Sequence, residues 1–192
     1  MIWDQIKERV RREYEGSRRA YHGWSHVVAI LVELEGVRDQ CADVETVEWA
    51  IWFHDAIYDP RAKDNEEKSA ELARMELSRA GVSAERVEAV CELILDTKHL
   101  REPIARDGAL MVDLDLSILG KPWETFESYD RAIREEYAFV SDADFARGRC
   151  AVLEGFLKRG RIFRTAFFFE KYEAAARGNL ERAIRKWRGA LG

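Results

Sequence analysis

The sequence predicts an all-α protein, and three features of the chain support that fold class. Apolar residues recur at spacings of three and four along most of the 192 residues, for example from Trp24 to Leu34, which is the period of a helix with one buried face. Its three prolines fall between such segments, where they interrupt no helix. One stretch, residues 111–118, alternates apolar and polar residues as a strand would. No other segment has a pattern that would pair with it, and an isolated strand cannot satisfy its backbone.

Nine helices are expected in order, and several have recognisable ends. Ser83 can cap the fifth helix, and Gly81 suits the end of the fourth. Asp64 and Glu67 have the spacing of a capping box. No linker or repeat divides the chain, so we expect a single domain over residues 1–192. The predicted helices are 2–15, 22–40, 44–58, 65–80, 83–98, 109–119, 123–139, 142–158 and 167–188.

The alternating stretch 111–118 is assigned to the sixth helix. On a helix, Asp113 and Asp115 point about 200° apart. Only one of these two carboxylates can therefore face a shared site.

The composition excludes several classes of protein. The chain has 31 basic and 36 acidic residues and a net charge of -5, which argues against non-specific nucleic-acid binding. Its three cysteines form no Cys-x-x-Cys pair and are expected as buried reduced thiols. No apolar run approaches the ~20 residues that span a bilayer, and the amino terminus does not resemble a signal peptide. We therefore expect a soluble, cytoplasmic protein that binds neither nucleic acid nor a membrane.

Four histidine and aspartate side chains are candidates for a metal site. His54 falls on the apolar stripe of the third helix, next to Asp55, whose carboxylate needs a positive partner if it is buried. Asp115 lies between two leucines, and His26 shares a predicted helix face with His22. Imidazole and carboxylate donors together suit a divalent Mn, Fe, Co, Ni or Zn ion, or Mg, rather than a thiolate-type site. Taken singly, such a histidine is more often a hydrogen-bonded core residue.

This pattern resembles the HD-domain superfamily of metal-dependent phosphohydrolases. The wider context is similar to a small single-domain branch of predicted phosphohydrolases, and the resemblance covers residues from about 14 to 184. The segments that carry it are 19–26, 50–59, 64–70, 97–99, 113–120, 134–137, 148–157 and 176–180.

The resemblance implies an HD-type helical fold with four metal ligands, His26, His54, Asp55 and Asp115. It further implies that a metal-activated water hydrolyses a small phosphorylated metabolite, for which a nucleotide is the first candidate.

In related HD hydrolases, an acidic residue shortly after the His-Asp pair assists proton transfer. Asp59 is therefore our first candidate for the general acid or base, and Glu67 is the second. Asp59 is also expected one helical turn after Asp55, on the same side of the helix. The structural alternatives are a turn residue before Pro60 for Asp59 and the capping box for Glu67.

Phosphate chemistry needs positive charge, and three residues are candidates to bind the substrate phosphate: Arg19, Lys98 and His99. For Lys98 and His99, a favourable charge at a helix C-terminus is the structural alternative.

Two other functions stay open. Some HD-fold proteins are di-iron oxygenases that use additional histidines between the His-Asp pair and the last aspartate, and this chain offers only His99 there. The other possibility is a regulatory or binding module that keeps the fold without catalysis.

Overall fold

The computed structural model describes residues 2–16, 19–100 and 102–191, and every regular element within these ranges is helical. The all-α prediction is confirmed, and each of the nine predicted helices is found. The α-helices are α1 Ile2–Glu13, α2 Trp24–Glu35, α3 Val44–Phe53, α4 Asn65–Arg79, α5 Ala84–Asp96, α6 Arg106–Leu116, α7 Trp123–Glu136, α8 Asp142–Leu157 and α9 Ala166–Gly189. Two short 3-10 helices, Arg38–Gln40 and Ser117–Gly120, accompany them.

The chain divides into two compact units, residues 1–115 and 116–192. The expected single domain over residues 1–192 stays a prediction. In the part of the chain that the structure describes, no helix is long and apolar enough to cross a membrane.

Helix α3 is the centre of the first unit and packs against α1, α2, α4 and α5. Val47, Ala50, Ile51 and Phe53 are completely buried, as expected of a helix that is apolar on several faces. Its first turn is fixed by Asp43, whose carboxylate accepts hydrogen bonds from two backbone N–H groups of that turn. His54, which directly follows α3, is buried as well.

The sequence predicts that α3 ends at residue 58, but the helix ends at Phe53. The Arg19 guanidinium donates hydrogen bonds to the carbonyls of Asp55 and Ala56. The Ser69 hydroxyl accepts a hydrogen bond from the N–H of Ile57 and donates one to its carbonyl. Because these side chains satisfy the backbone of residues 55–57, another helical turn is not needed there.

Helices α4 and α5 pack together as a pair, and the predicted signals at their junction are confirmed. Gly81 has a left-handed φ of 81°, and the Ser83 hydroxyl accepts from the N–H of Arg86. The predicted capping box at the start of α4 is wrong. Asp64 makes no side-chain capping bond and instead accepts from Lys68, one helical turn further on.

Residues 111–118 are helical, as predicted: α6 runs to Leu116 and the 3-10 helix Ser117–Gly120 follows it. Asp113 is completely buried, whereas Asp115 keeps partial exposure. The two carboxylates therefore have different surroundings, as the helical assignment requires.

In the second unit, α9 packs against α7, α8 and the 3-10 helix Ser117–Gly120. The Asn179 amide of α9 donates to the carbonyls of Leu119 and Lys121, both at 2.8 Å. Asp130 of α7 accepts from the buried Arg149 of α8 and from the indole of Trp187 of α9. These buried polar contacts tie the three helices together.

The three cysteines are free thiols. Cys91 and Cys150 are buried, as predicted, whereas Cys41 is only partly buried.

Candidate metal centre

His26 reaches the centre from the first turn of α2. Helix α2 begins at Trp24, after Gly23, so His22 precedes the helix. The expectation that His22 and His26 share one helix face is therefore wrong. Their ring centroids lie 6.1 Å apart, and His22 stacks instead on Tyr58 at 4.1 Å.

His54 directly follows the last residue of α3 as its C-cap, and the position of one ring proton follows from a backbone contact. Its Nδ1 lies 2.9 Å from the carbonyl oxygen of Ile51. Because a carbonyl oxygen can only accept, Nδ1 carries a proton, and Nε2 is the nitrogen that offers a lone pair to a metal when the ring is neutral. That Nε2 is buried and faces the other predicted ligands.

Three of the four predicted ligands, His26, His54 and Asp115, converge on one point, whereas Asp55 contacts the two histidines without belonging to that group. The Nε2 atoms of His26 and His54 are 3.2 Å apart. An oxygen of Asp115 lies 3.2 Å from His26 Nε2, and one of Asp55 lies 3.1 Å from His54 Nε2. Ligand atoms of His26, His54 and Asp115 all lie within 4.8 Å of one another. Side chains from α2, the end of α3 and α6 are thus brought together by the fold of the first unit alone.

These distances fit a single divalent ion. Two donor atoms that each lie about 2.1 Å from one tetrahedral or octahedral ion are roughly 3.0–3.4 Å apart. The three shortest contacts, 3.1–3.2 Å, fall in that range. The other two, from His26 Nε2 to Asp55 at 3.7 Å and from His54 Nε2 to Asp115 at 3.8 Å, are longer. Two imidazole nitrogens and carboxylates from two segments are also the donors that Mn, Fe, Co, Ni or Zn accept. The residues that the structure places here therefore fit a metal ion.

The pKa values of the cluster indicate that its two carboxylates favour a positive charge beside them. Burial lowers the pKa of His54, but the charge and hydrogen bond of Asp55, with Asp115, outweigh it and raise that pKa to about 9. Burial lowers the pKa of His26 below its ordinary value. Burial raises the pKa of Asp55 and Asp115, yet the nearby imidazoles bring both well below the usual carboxyl range. In the metal-free cluster, a proton on His54 supplies positive charge that a cation would supply.

His99 extends the cluster on the far side of Asp115. Its Nε2 lies 3.1 Å from the second oxygen of Asp115. His99 has a left-handed φ of 58°, which costs a non-glycine residue energy and often marks a functional position. The sequence had identified His99 as a candidate for substrate phosphate, and its observed partner is instead a predicted metal ligand.

Arg19 does not lie open to a substrate. Its guanidinium donates to three backbone carbonyls: His22 at 3.0 Å, Asp55 at 2.6 Å and Ala56 at 2.7 Å. It therefore joins the segment before α2 to the segment after α3. Sequence reasoning missed this structural role, because nothing in the local pattern announces which carbonyls remain unpaired.

Lys98 and Glu67 form an ion pair with each other. The Lys98 ammonium also donates to the carbonyl of Lys63 at 2.8 Å and lies 3.9 Å from Glu66. The hydrogen bond between Lys98 and Glu67 lowers the pKa of Glu67 and raises the pKa of Lys98. The structure thus brings together a candidate base and a candidate phosphate ligand.

Asp59 lies in the exposed turn after α3. One of its carboxylate oxygens accepts from the N–H of Arg61 at 2.9 Å, and Asn65 hydrogen-bonds both its N–H and its carbonyl. The reasoning that placed Asp59 one helical turn after Asp55 is wrong, since α3 has already ended. The observed contacts are those of a turn residue.

Two tyrosines, Tyr21 and Tyr14, lie beside the centre. The ring centroid of Tyr21 lies 4.6 Å from that of His26. The buried Tyr14 donates to the carbonyl of Trp52 at 2.9 Å; burial, together with the charge of Asp55, raises the pKa of Tyr14. Tyr14 was not identified from the sequence, where a tyrosine in an amphipathic helix carries no special signal.

A cavity of roughly 720 Å³ lies elsewhere in the first unit, along α5 and the starts of α3 and α6. None of the predicted metal ligands lines it. Its buried Asp107 is engaged by the backbone N–H groups of Ala42 and Asp43. The candidate metal ligands are therefore separate from this cavity.

No protein-family profile, curated protein or solved structure matches this chain.

Proposed function

We propose that this chain is a helical protein that binds a divalent metal ion. Within that class, we propose that it is an HD-type phosphohydrolase. The observation that supports the proposal best is the convergence of two imidazole Nε2 atoms, 3.2 Å apart, with carboxylates from two separate segments. The metal would be held by His26, His54, Asp55 and Asp115. The substrate would be a small phosphorylated metabolite, and nucleotides are the first to screen.

A divalent ion at this place would supply a Lewis acid for a phosphoryl oxygen and a water of lowered pKa. The chain would supply the orientation of the donors. The hydrogen bond from His54 Nδ1 to Ile51 holds its ring with the lone pair inward. His99 would hold Asp115 through the oxygen that does not face His26.

Proton transfer would fall to Asp59 or Glu67, and charge balance to Lys98. Glu67 and Lys98 are paired with each other. This ion pair would have to open before either side chain could reach a substrate. Arg19 would act as a positioning residue, because its guanidinium is engaged by backbone carbonyls.

Metal analysis by mass spectrometry tests the proposal, using protein purified without chelator. We expect about one equivalent of a divalent transition metal in the native chain and little in His54→Ala. The matched control is His22→Gln, which removes an imidazole near the centre but outside the ligand set, and this variant should retain the metal. Metal-loaded native protein should then release phosphate from at least one phosphorylated metabolite. Native protein that binds no divalent ion, even after incubation with Mn or Zn, would refute the proposal.

A di-iron oxygenase is the second candidate function, and one observation favours it. His99 contacts the second oxygen of Asp115, so His99 and Asp115 would offer further donors for a second ion. Two equivalents of iron, reduced to one in His99→Gln, would favour the oxygenase over the mononuclear hydrolase. A metal-free protein without turnover would instead favour a binding or regulatory module.

A further inference from the structure

The two units of the chain carry opposite net charge. Residues 1–115 hold 16 basic and 25 acidic side chains, a net charge of -9, whereas residues 116–192 hold 15 basic and 11 acidic ones, a net charge of +4. The overall charge of -5 conceals this difference. A basic unit in an acidic chain can bind a polyanion that the average composition argues against.

Much of the positive charge of the second unit is concentrated in one segment, residues 156–172, which we call the basic segment. It connects the end of α8 with the first turns of α9. Lys158, Arg161 and Lys171 are exposed, whereas Arg159 and Arg164 are partly buried. The segment contains a single acidic residue, Glu170.

The nearest carboxylate that follows the basic segment is directed inward. Glu173 is buried and accepts hydrogen bonds from the N–H groups of Ile162 and Phe163. It also accepts from Arg177 at 2.8 Å. The charge of Glu173 is therefore balanced by Arg177, which lies outside the basic segment, and not by the cations of the segment.

Several cations of the basic segment lie over aromatic rings. The guanidinium of Arg161 lies 4.4 Å from the ring centroid of Phe169, and that of Arg159 lies 4.6 Å from the ring of Phe156. The ammonium of Lys171 lies 5.2 Å from the ring of Phe167. A guanidinium held over a ring loses little further freedom when a base stacks on it.

The segment lacks the apolar anchors that a membrane surface would need. None of the large hydrophobic side chains that are exposed in the described chain falls within residues 156–172. Interfacial membrane segments place large apolar residues outward beside their cations. Cations held over partly buried rings instead suit a surface that binds backbone phosphates and stacks bases on arginine planes.

We propose that the basic segment binds single-stranded nucleic acid. The exposed Lys158 and Arg161 would contact backbone phosphates, and the guanidinium of Arg161, held over Phe169, would offer a platform for a base. This inference is independent of the proposed hydrolase function. It also departs from the expectation of no nucleic-acid binding, because that expectation rested on the charge of the whole chain.

Fluorescence anisotropy with a labelled 12-nucleotide oligouridylate tests the proposal, using the full chain at low salt. The double charge reversal Lys158→Glu/Arg161→Glu should weaken binding at least tenfold. It should also reduce the slope of log affinity against log salt by about 1.4, because each phosphate contact on a single strand contributes about 0.7. The matched control is Arg131→Glu/Arg185→Glu, with the same charge change at exposed positions of α7 and α9. That control should weaken binding less than twofold.

Three outcomes would overturn the proposal. They are absence of binding by the native chain at low salt, equal loss in the two double variants, and tighter binding to vesicles containing anionic phosphatidylserine than to the oligonucleotide. The neutral variant Lys158→Gln/Arg161→Gln separates lost contacts from misfolding. It should retain the native thermal melt and still weaken binding at least fivefold.

Discussion

Replacing Arg19 distinguishes a structural clamp from a phosphate ligand. In the structure its guanidinium donates to the carbonyls of His22, Asp55 and Ala56. A hydrogen bond from a charged donor contributes roughly 1.5–3 kcal/mol. Arg19 is partly exposed and the freed carbonyls would regain water, so we expect Arg19→Ala to cost about 3 kcal/mol in total rather than the full sum.

Arg19→Lys is the sharper variant, because it keeps the positive charge and loses the planar fork. A single ammonium cannot satisfy three carbonyls in that arrangement, so we expect most of the destabilisation to remain. For a chain of this size, 3 kcal/mol corresponds to a fall in melting temperature of about 6–12 °C.

The assay is urea and thermal denaturation of the metal-free protein, followed by tryptophan fluorescence. The control is Arg12→Ala, which removes an exposed arginine paired with Glu8 one helical turn away and should change stability by less than about 1 kcal/mol. If Arg19→Lys melts with the native protein while its KM for a phosphorylated substrate increases, the clamp is wrong and the phosphate role is right.

Three further results are expected. In metal-free protein, His54 holds its proton more tightly when folded, with a pKa of about 9 against 6.5. Its contribution to stability is thus complete below pH 6.5 and lost as the pH rises through 9; urea titrations should show this loss, and an unchanged slope in His54→Gln would contradict it. Gly120→Ala should cost about 1–3 kcal/mol, because the added methyl would lie 2.7 Å from ring carbons of Tyr172. Gly178→Ala, in open space on α9, should instead stabilise by about 1 kcal/mol, and equal urea midpoints for the two would refute the packing explanation. His99→Gln should weaken divalent-metal affinity about 10–100-fold through Asp115, measured by competition with a chelating dye, and unaltered affinity would exclude that positioning role.

Some features of this chain could be predicted because they depend on neighbouring residues. The helix caps at Ser83 and Gly81 follow from local hydrogen bonding and backbone conformation, and both are confirmed. The helical assignment of 111–118 is confirmed as well, since no strand in the described chain could have paired with it.

Other features could not be predicted because they depend on residues far apart in the chain. The carbonyls after α3 are satisfied by Arg19 and Ser69, which moves the end of the helix and removes Asp59 from the face of Asp55. Glu67 accepts a hydrogen bond from Lys98, 31 residues away in the sequence, and does not form a capping box. A side chain with several possible partners takes the one that tertiary packing brings near.

By itself, the sequence determined the helical class, the order of the nine helices and the donor residues that a metal could use. Periodicity and donor chemistry are properties of the residues themselves, and they survive any rearrangement of the fold. Tertiary structure alone decided that His26, His54 and Asp115 meet within 4.8 Å, that Arg19 is engaged by backbone, and that His99 contacts Asp115. These contacts depend on how helices distant in sequence pack against each other. Because a side chain extends only a few ångströms, a small change in that packing would separate the ligands and remove the site.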